Sequence, residues 1–183
     1  MNKQLSKHQK KQHYIKIYLV DDKGTNLTNF DGVILSQNSK FILMMVFADL
    51  YYDGYVVFRK SDVSEIRRSK NEQFIHKILL KEGVLTAAID SYTGIRLNTM
   101  EKMFKELKKR QVPVIVEQLY RSKDLFQIGP IHSTTKKMVR IDHFNSHGIY
   151  DLKPAVSKYK DITYFRVDDN YSILYHKYSK HLD

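Results

Sequence analysis

Asp142, His143, His147 and Asp151 lie close together in the chain and have the side-chain types that bind divalent metal ions or act as an acid and a base. Asn145, Ser146 and Gly148 are turn formers, so this spacing does not place the two histidines on one face of a helix. The pattern favours a solvated loop. A metal-dependent hydrolase or nuclease that uses this loop is the alternative prediction.

A second set of residues combines aromatic rings with cations. Proteins use this mixture to bind single-stranded nucleic acids, because rings stack on bases while cations meet phosphates. The alternative interpretation is that the tyrosines cover a half-buried sheet face and keep their hydroxyls in water. The candidate nucleic-acid-binding residues are Tyr51, Tyr52, Arg59, Lys60, Arg67 and Arg68.

Other catalytic chemistry finds little support in the sequence. The chain has no cysteine, which removes thiolate catalysis and a disulfide framework and fits a reducing cytoplasm. Its seven glycines are scattered singly, so no glycine-rich phosphate loop is present. Ser36 and Ser133 share no histidine or acid at a common spacing, which makes them turn residues rather than nucleophiles. We therefore expect a non-catalytic protein without a cofactor.

An internal repeat determines the expected architecture. The segment 32–36 returns 97 positions later as 129–133, and Lys40 returns as Lys137 in a turn where we expect both to be solvated. A second match, offset by 99 positions, aligns 62–67 with 161–166. The sequence thus predicts one small β unit that is used twice.

Short apolar and β-branched runs, separated by turn residues, predict five strands in each copy. The predicted fold is α+β and mainly β, with two five-stranded barrels that each carry a closing helical segment. The predicted domains are a basic flexible tail or loosely docked helix (1–13), a first barrel with its closing helix (14–83), a linker and insert helix (84–111), and a second barrel with its closing helical segment (112–183).

The insert helix has its own signals. Asn98 and Glu101 are spaced as a capping box, and Pro113 disfavours helix beyond that point. Met103, Phe104 and Leu107 form an apolar stripe that we expect to be buried against one or both barrels.

The strand order, the glycine that enters the second strand and the Asp-led closing strand resemble the Sm-like and SH3-like small barrels. The run 159–163, followed by 170–171 and 177–178, is similar to uncharacterised bacterial proteins with tandem barrels of this type. Sm proteins bind RNA through an Asp and an Asn in the loop between the second and third strands and through an Arg-Gly pair before the last strand. The loop 36–39 offers only Asn38, and Arg67 and Arg68 follow the last strand rather than precede it.

The net charge of +11 is spread along the chain and permits contact with phosphates. The longest apolar run, 41–48, has the length of a strand, so we expect a cytoplasmic protein without a membrane span. Taken together, these features predict a non-catalytic binding module. Its expected partner is a protein, a peptide or single-stranded RNA.

Overall fold

A computed structural model describes residues 1–21, 23–92, 94–119 and 125–180 of the chain. The fold is α+β and mainly β, which confirms the predicted class at this level. The chain divides into two compact units, Met1–Leu97 and Asn98–Asp183. None of the described helices is long and apolar enough to cross a membrane.

The first unit contains three helices and five strands. Its strands pair in the order β5-β1-β2-β3-β4, and every pair is antiparallel. Its elements are α1 (Asn2–Lys10), β1 (Ile15–Val20), β2 (Asn26–Gln37), β3 (Phe41–Ala48), β4 (Tyr51–Arg59), a 3-10 turn (Lys60–Asp62), β5 (Val63–Arg67), α2 (Lys70–Lys81) and α3 (Val84–Asp90).

In its described residues, the second unit contains two helices and six strands. Strand β11 pairs with β6 and β6 with β7, whereas β8, β9 and β10 form a second ladder, again antiparallel throughout. Its elements are α4 (Met100–Lys109), β6 (Val114–Gln118), β7 (Leu125–Gly129), β8 (Ile131–Thr134), β9 (Met138–Ile141), β10 (Ala155–Lys158), β11 (Tyr164–Val167) and α5 (Asn170–Tyr178). Within the described residues, no sheet closes into a barrel.

The strand registers of the two units agree at the repeated positions. The pairing of β2 with β3 shifts between Ile34 and Ser36, and the pairing of β8 with β9 shifts between Ile131 and Ser133. These shifts occur at matching positions of the repeat. If the register of one strand pair differed by one residue, its side chains would point to the opposite face of the sheet. Because the registers match, repeated positions place their side chains on the same face. Ile34, Phe47, Val63 and their repeat partners Ile131, Phe144 and Ile162 are all buried.

A hydrogen-bonded chain in the second unit occupies positions that are apolar in the first. Gln118 on β6 donates to the Ser157 hydroxyl at 2.6 Å, and that hydroxyl donates to Gln127 on β7 at 2.7 Å. The matching positions in the first unit are Leu19, Phe30 and Phe58, where the two phenylalanine rings stack with centroids 5.7 Å apart. Leu19 and Phe58 are buried and Phe30 is half-buried, so apolar contacts in the first unit stand where the second unit has hydrogen bonds.

The first thirteen residues differ from the expected flexible tail. They form α1, whose Leu5 is completely buried. Both α1 and α4 precede the first strand of their unit, and two residues after the end of each helix lies a glutamine with positive φ, Gln12 (48°) and Gln111 (55°). The two helices thus stand at corresponding places, each before the first strand of its unit. The alternative of a docked helix fits this segment, because Leu5 is buried.

The sequence predicts a turn at Asp53-Gly54 and a helix cap at Asn98, and both local predictions were wrong. The hairpin turn between β3 and β4 is formed by Asp49 and Leu50, at φ 46° and 69°, whereas Asp53-Gly54 is a bulge within β4 opposite β3. The α4 helix is capped by Thr99, whose side chain accepts from the Lys102 amide, rather than by Asn98. In both cases residues nearby in the chain, Asp49 and Leu50 in the turn and Thr99 at the helix start, have the role that was predicted.

Candidate anion-binding groove in the second unit

The hairpin between β8 and β9 forms one wall of a groove. Its turn is held by Thr135, whose amide donates to the Met138 carbonyl at 2.9 Å. The Thr135 hydroxyl accepts from the amides of Lys137 and Met138, both at 3.2 Å. Polar side chains that bond to nearby amides stabilise turns in this way. The exposed Lys136 and Lys137 are thereby held at the tip of the hairpin.

The end of β10 and the turn after it form the other wall. Lys158 pairs with Met138 across the ladder, and the Tyr159 amide donates to the Lys137 carbonyl at 3.0 Å. The Asp161 amide donates to the Lys158 carbonyl at 2.9 Å, which closes the turn that carries Lys160. Backbone bonds therefore fix both walls, while the lysine side chains remain adjustable.

The groove has a volume of about 320 Å³ and an apolar floor with a basic rim. Tyr159 in the floor is only 9% exposed, and its ring stacks on Phe104 of α4 with centroids 5.8 Å apart. Burial, with a smaller effect of the Glu101 charge, raises the pKa of Tyr159 to about 12, so the phenol stays protonated at neutral pH. Its lining residues are Lys136, Lys137, Met138, Lys158, Tyr159 and Lys160.

The four lysines of this groove carry the charge that a ligand would meet. In the described part of the chain, none of their ammonium groups has a hydrogen bond or an ion pair with the protein. Converging like charges repel one another, and this repulsion falls when an anion neutralises them. The groove is therefore suited to a ligand with several negative charges.

The candidate nucleic-acid-binding residues predicted from the sequence do not form one surface. Tyr51 is 76% exposed and begins β4, whereas Arg59 ends it. Since a strand rises about 3.3 Å per residue, the ends of this strand are about 26 Å apart. The two tyrosines and the two cations Arg59 and Lys60 thus lie at opposite ends of the same strand.

The four cations of that set also have partners within the protein. Arg59 lies 3.9 Å from Asp62, and the Lys60 ammonium donates to Gln37 at 2.7 Å. Arg68 contacts His76 at 3.4 Å. These interactions favour structural roles for the cations.

Arg67 supports the start of α2 through Glu72. Its guanidinium donates to the completely buried Glu72 carboxylate at 2.8 Å, and the amide and hydroxyl of Ser69 both donate to the same carboxylate at 2.6 Å. Burial alone would raise the pKa of Glu72, but the hydrogen bonds from Ser69 and Arg67 outweigh burial and lower it to about 2. Ser69 and Glu72 form a capping box, and the Arg67 guanidinium adds a cation to it.

The four acidic and imidazole groups of the 142–151 loop have separate local roles. Asp142 pairs with His132 at 2.9 Å, and His143 accepts from the Ile128 amide at 3.1 Å. His147 and Asp151 are exposed. Among the described residues, no three His, Asp or Glu side chains meet in a geometry that could hold a metal ion. The metal-dependent alternative thus has no shared site in this part of the chain.

A histidine cluster in the first unit was missed by the sequence analysis. The Nδ1 atoms of His8 and His13 are 3.1 Å apart, and the ring of His76 lies edge-on to His13 at 6.1 Å. Burial and the charge of Arg68 lower the pKa of all three, that of His13 to about 4. Histidines separated by more than sixty residues give no sequence signal unless the packing of α1 on the unit is already known.

Comparison of the chain with protein-family models, with curated proteins and with solved structures finds no match. A proposal about the function therefore rests on the geometry of the groove.

Proposed function

We propose that this protein is a non-catalytic binding module built from two copies of an Sm-like or SH3-like unit, and that the second copy binds single-stranded RNA. The observation that carries the proposal is the set of four lysines, without protein partners in the described residues, around the floor of Met138 and Tyr159.

The combination of floor and rim supports a nucleotide chain as the ligand. Lysines at the rim meet phosphates, while an apolar and aromatic floor can receive the face of a base. An acidic peptide would satisfy the lysines but would leave the floor of Tyr159 and Met138 without a planar partner. Single-stranded nucleic acid uses both features.

The location of the groove gives independent support. It lies between the β8–β9 hairpin, which matches the hairpin between the second and third strands of the first unit, and the segment that precedes the last strand, β11. The resemblance to Sm proteins implies RNA contacts in these two places. Here lysines stand where those proteins use Asp, Asn and an Arg-Gly pair, so we expect phosphate contacts to dominate over base recognition.

Fluorescence anisotropy with a labelled single-stranded oligouridylate tests the proposal. Binding to the wild type should weaken steeply with salt, because each phosphate contact on a single strand contributes about −0.7 to the slope of log K against log salt. In the double variant K136Q/K160Q this slope should become shallower by about 1.4, since two such contacts are removed.

The matched control is K102Q/K109Q, which removes the same charge from exposed positions on α4 of the same unit. It should retain the wild-type affinity within about twofold at moderate salt, because long-range charge effects are largely screened there. Equal loss in both double variants would show that only net charge matters. Preferential binding of an acidic peptide or of double-stranded RNA would replace the proposed ligand.

A further inference from the structure

In the first unit, a lysine side chain occupies the place that corresponds to the groove of the second unit. Lys60 stands at the position that matches Tyr159 in the repeat. Its ammonium donates to the Gln37 side chain at 2.7 Å and lies 3.4 Å from the Asn38 carbonyl oxygen. Lys60 therefore reaches across to the hairpin between β2 and β3, the hairpin whose counterpart forms a groove wall in the second unit.

The contact between Lys60 and Gln37 is connected to helix α1 by further hydrogen bonds. Gln37 donates to the Gln9 side chain at 2.9 Å, and Gln9 donates to the Leu35 carbonyl at 3.2 Å. The second unit has a hydrogen bond at the position that matches the bond from Gln9 to Leu35: Lys108 of α4 donates to the His132 carbonyl. Among the described residues, only those of the first unit extend this contact through Gln37 to Lys60, so the protein itself binds the Lys60 ammonium group.

The positions of the first unit that match the groove lysines of the second unit offer a ligand less positive charge than those lysines do. Ser39 and Ser61 stand where the second unit has Lys136 and Lys160. Arg59, which matches Lys158, lies 3.9 Å from Asp62. Lys40, the counterpart of Lys137, is exposed at the hairpin tip. Two lysines of the rim are thus replaced by neutral serines, and a third cation has an acidic neighbour.

We infer that each chain has one RNA-binding groove, in the second unit, and that the difference between Tyr159 and Lys60 decides which unit binds. This inference rests on the proposed function. The first unit retains the fold of the module, while its rim serves internal hydrogen bonds. A tyrosine at the floor leaves the groove open to a base, whereas a lysine there spans the gap and binds the opposite loop.

The stoichiometry of binding tests the inference directly. Isothermal titration of the full chain with an oligouridylate of about six nucleotides, within the ~4–16 nucleotides that one small barrel typically covers, should give one oligonucleotide per chain. The variant K136Q/K160Q should lower the affinity at least tenfold, and K40Q/R59Q should retain it within twofold. Two oligonucleotides per wild-type chain would overturn the inference, and so would loss of binding in K40Q/R59Q alone.

A gain of function provides the converse test. The triple variant S39K/K60Y/S61K gives the first unit the floor and rim of the second and should raise the stoichiometry to two. A folded triple variant that still binds one oligonucleotide would show that other residues decide which unit binds. If it fails to fold, the stoichiometry of the wild type and the two double variants remain decisive. Absence of wild-type binding would reject the proposed function itself, an outcome distinct from a stoichiometry of two.

Discussion

The carbonyl oxygen of Asp142 occupies the space that a Cβ atom on Gly129 would need, and the carbonyl oxygen of Met45 does the same at Gly32. These pairs occupy matching positions of the repeat. Glycine on β2 therefore allows β3 to approach closely, and glycine at the end of β7 allows the same close approach by the residue after β9. The Gly129 backbone is also at φ 148°, in the range that favours glycine.

Replacing Gly129 by alanine should destabilise the protein, because a Cβ atom would overlap the Asp142 carbonyl oxygen. We expect the free energy of unfolding to fall by about 2 to 4 kcal/mol from overpacking and backbone strain together. Urea denaturation followed by circular dichroism measures this. The control is Gly24→Ala, which has a positive φ but open space around it, and which should cost only about 1 kcal/mol. Equal costs would show that the close approach is unimportant.

Phe104 should be a major contributor to the stability of the second unit. It is completely buried and lies with its ring centroid 4.7 Å from that of Phe165. Phe104→Ala should cost about 3 to 5 kcal/mol, the range found for buried phenylalanines. Chemical denaturation provides the measurement, with exposed Lys102→Ala on the same helix as the control. An unchanged free energy of unfolding for Phe104→Ala would contradict the burial of this helix face.

Stability should fall on acidification below neutral pH because of the histidine cluster. The pKa values of His8, His13 and His76 are lowered from 6.5 in the folded protein, that of His13 to about 4. Between these values the unfolded chain binds more protons than the folded one, so unfolding becomes easier as the pH drops from 6.5 towards 4. Glu72, whose folded pKa is about 2, begins to contribute only below its ordinary value of 4.5.

Melting temperatures between pH 7 and pH 5 therefore isolate the histidines from Glu72. His13→Gln should flatten this part of the pH profile, because one group with a lowered pKa is removed. His147→Gln, in the exposed loop of the second unit, should leave the slope unchanged and serves as the control. Identical slopes for the wild type and His13→Gln would remove the cluster as the cause.

The hairpin turn between β3 and β4 can be made more stable. Leu50 has φ 69°, a conformation that costs an ordinary residue about 1 to 2 kcal/mol and that glycine adopts readily. Leu50→Gly should raise the free energy of unfolding by about 0.5 to 1 kcal/mol after the larger entropy of the unfolded glycine is subtracted. Ala48→Gly, in the strand before the turn, should lower it instead. Thermal denaturation of the two variants decides between these directions.

Part of the fold was predictable because it depends on local patterns. Alternating apolar residues such as Ile15, Ile17 and Leu19 indicate a strand with one buried face, and the structure has β1 there. The period of the residues 72–81 predicts a helix there, but not the complete burial of Glu72, because burial of a carboxylate depends on the guanidinium of Arg67 reaching it. The same period predicts Phe74 on the apolar face of this helix, but it is 63% exposed.

By itself, the sequence determined the repeat, the mainly β class and the positions of most strands, since these depend on residue types at fixed spacing. Only the tertiary structure decided which cations lie together. Strand pairing brings Lys137 beside Tyr159, although they are far apart in the chain. The rise of a single strand separates Tyr51 from Arg59, although they are close in sequence. A binding site depends on distances in space, and pairing between strands is the interaction that sets those distances here.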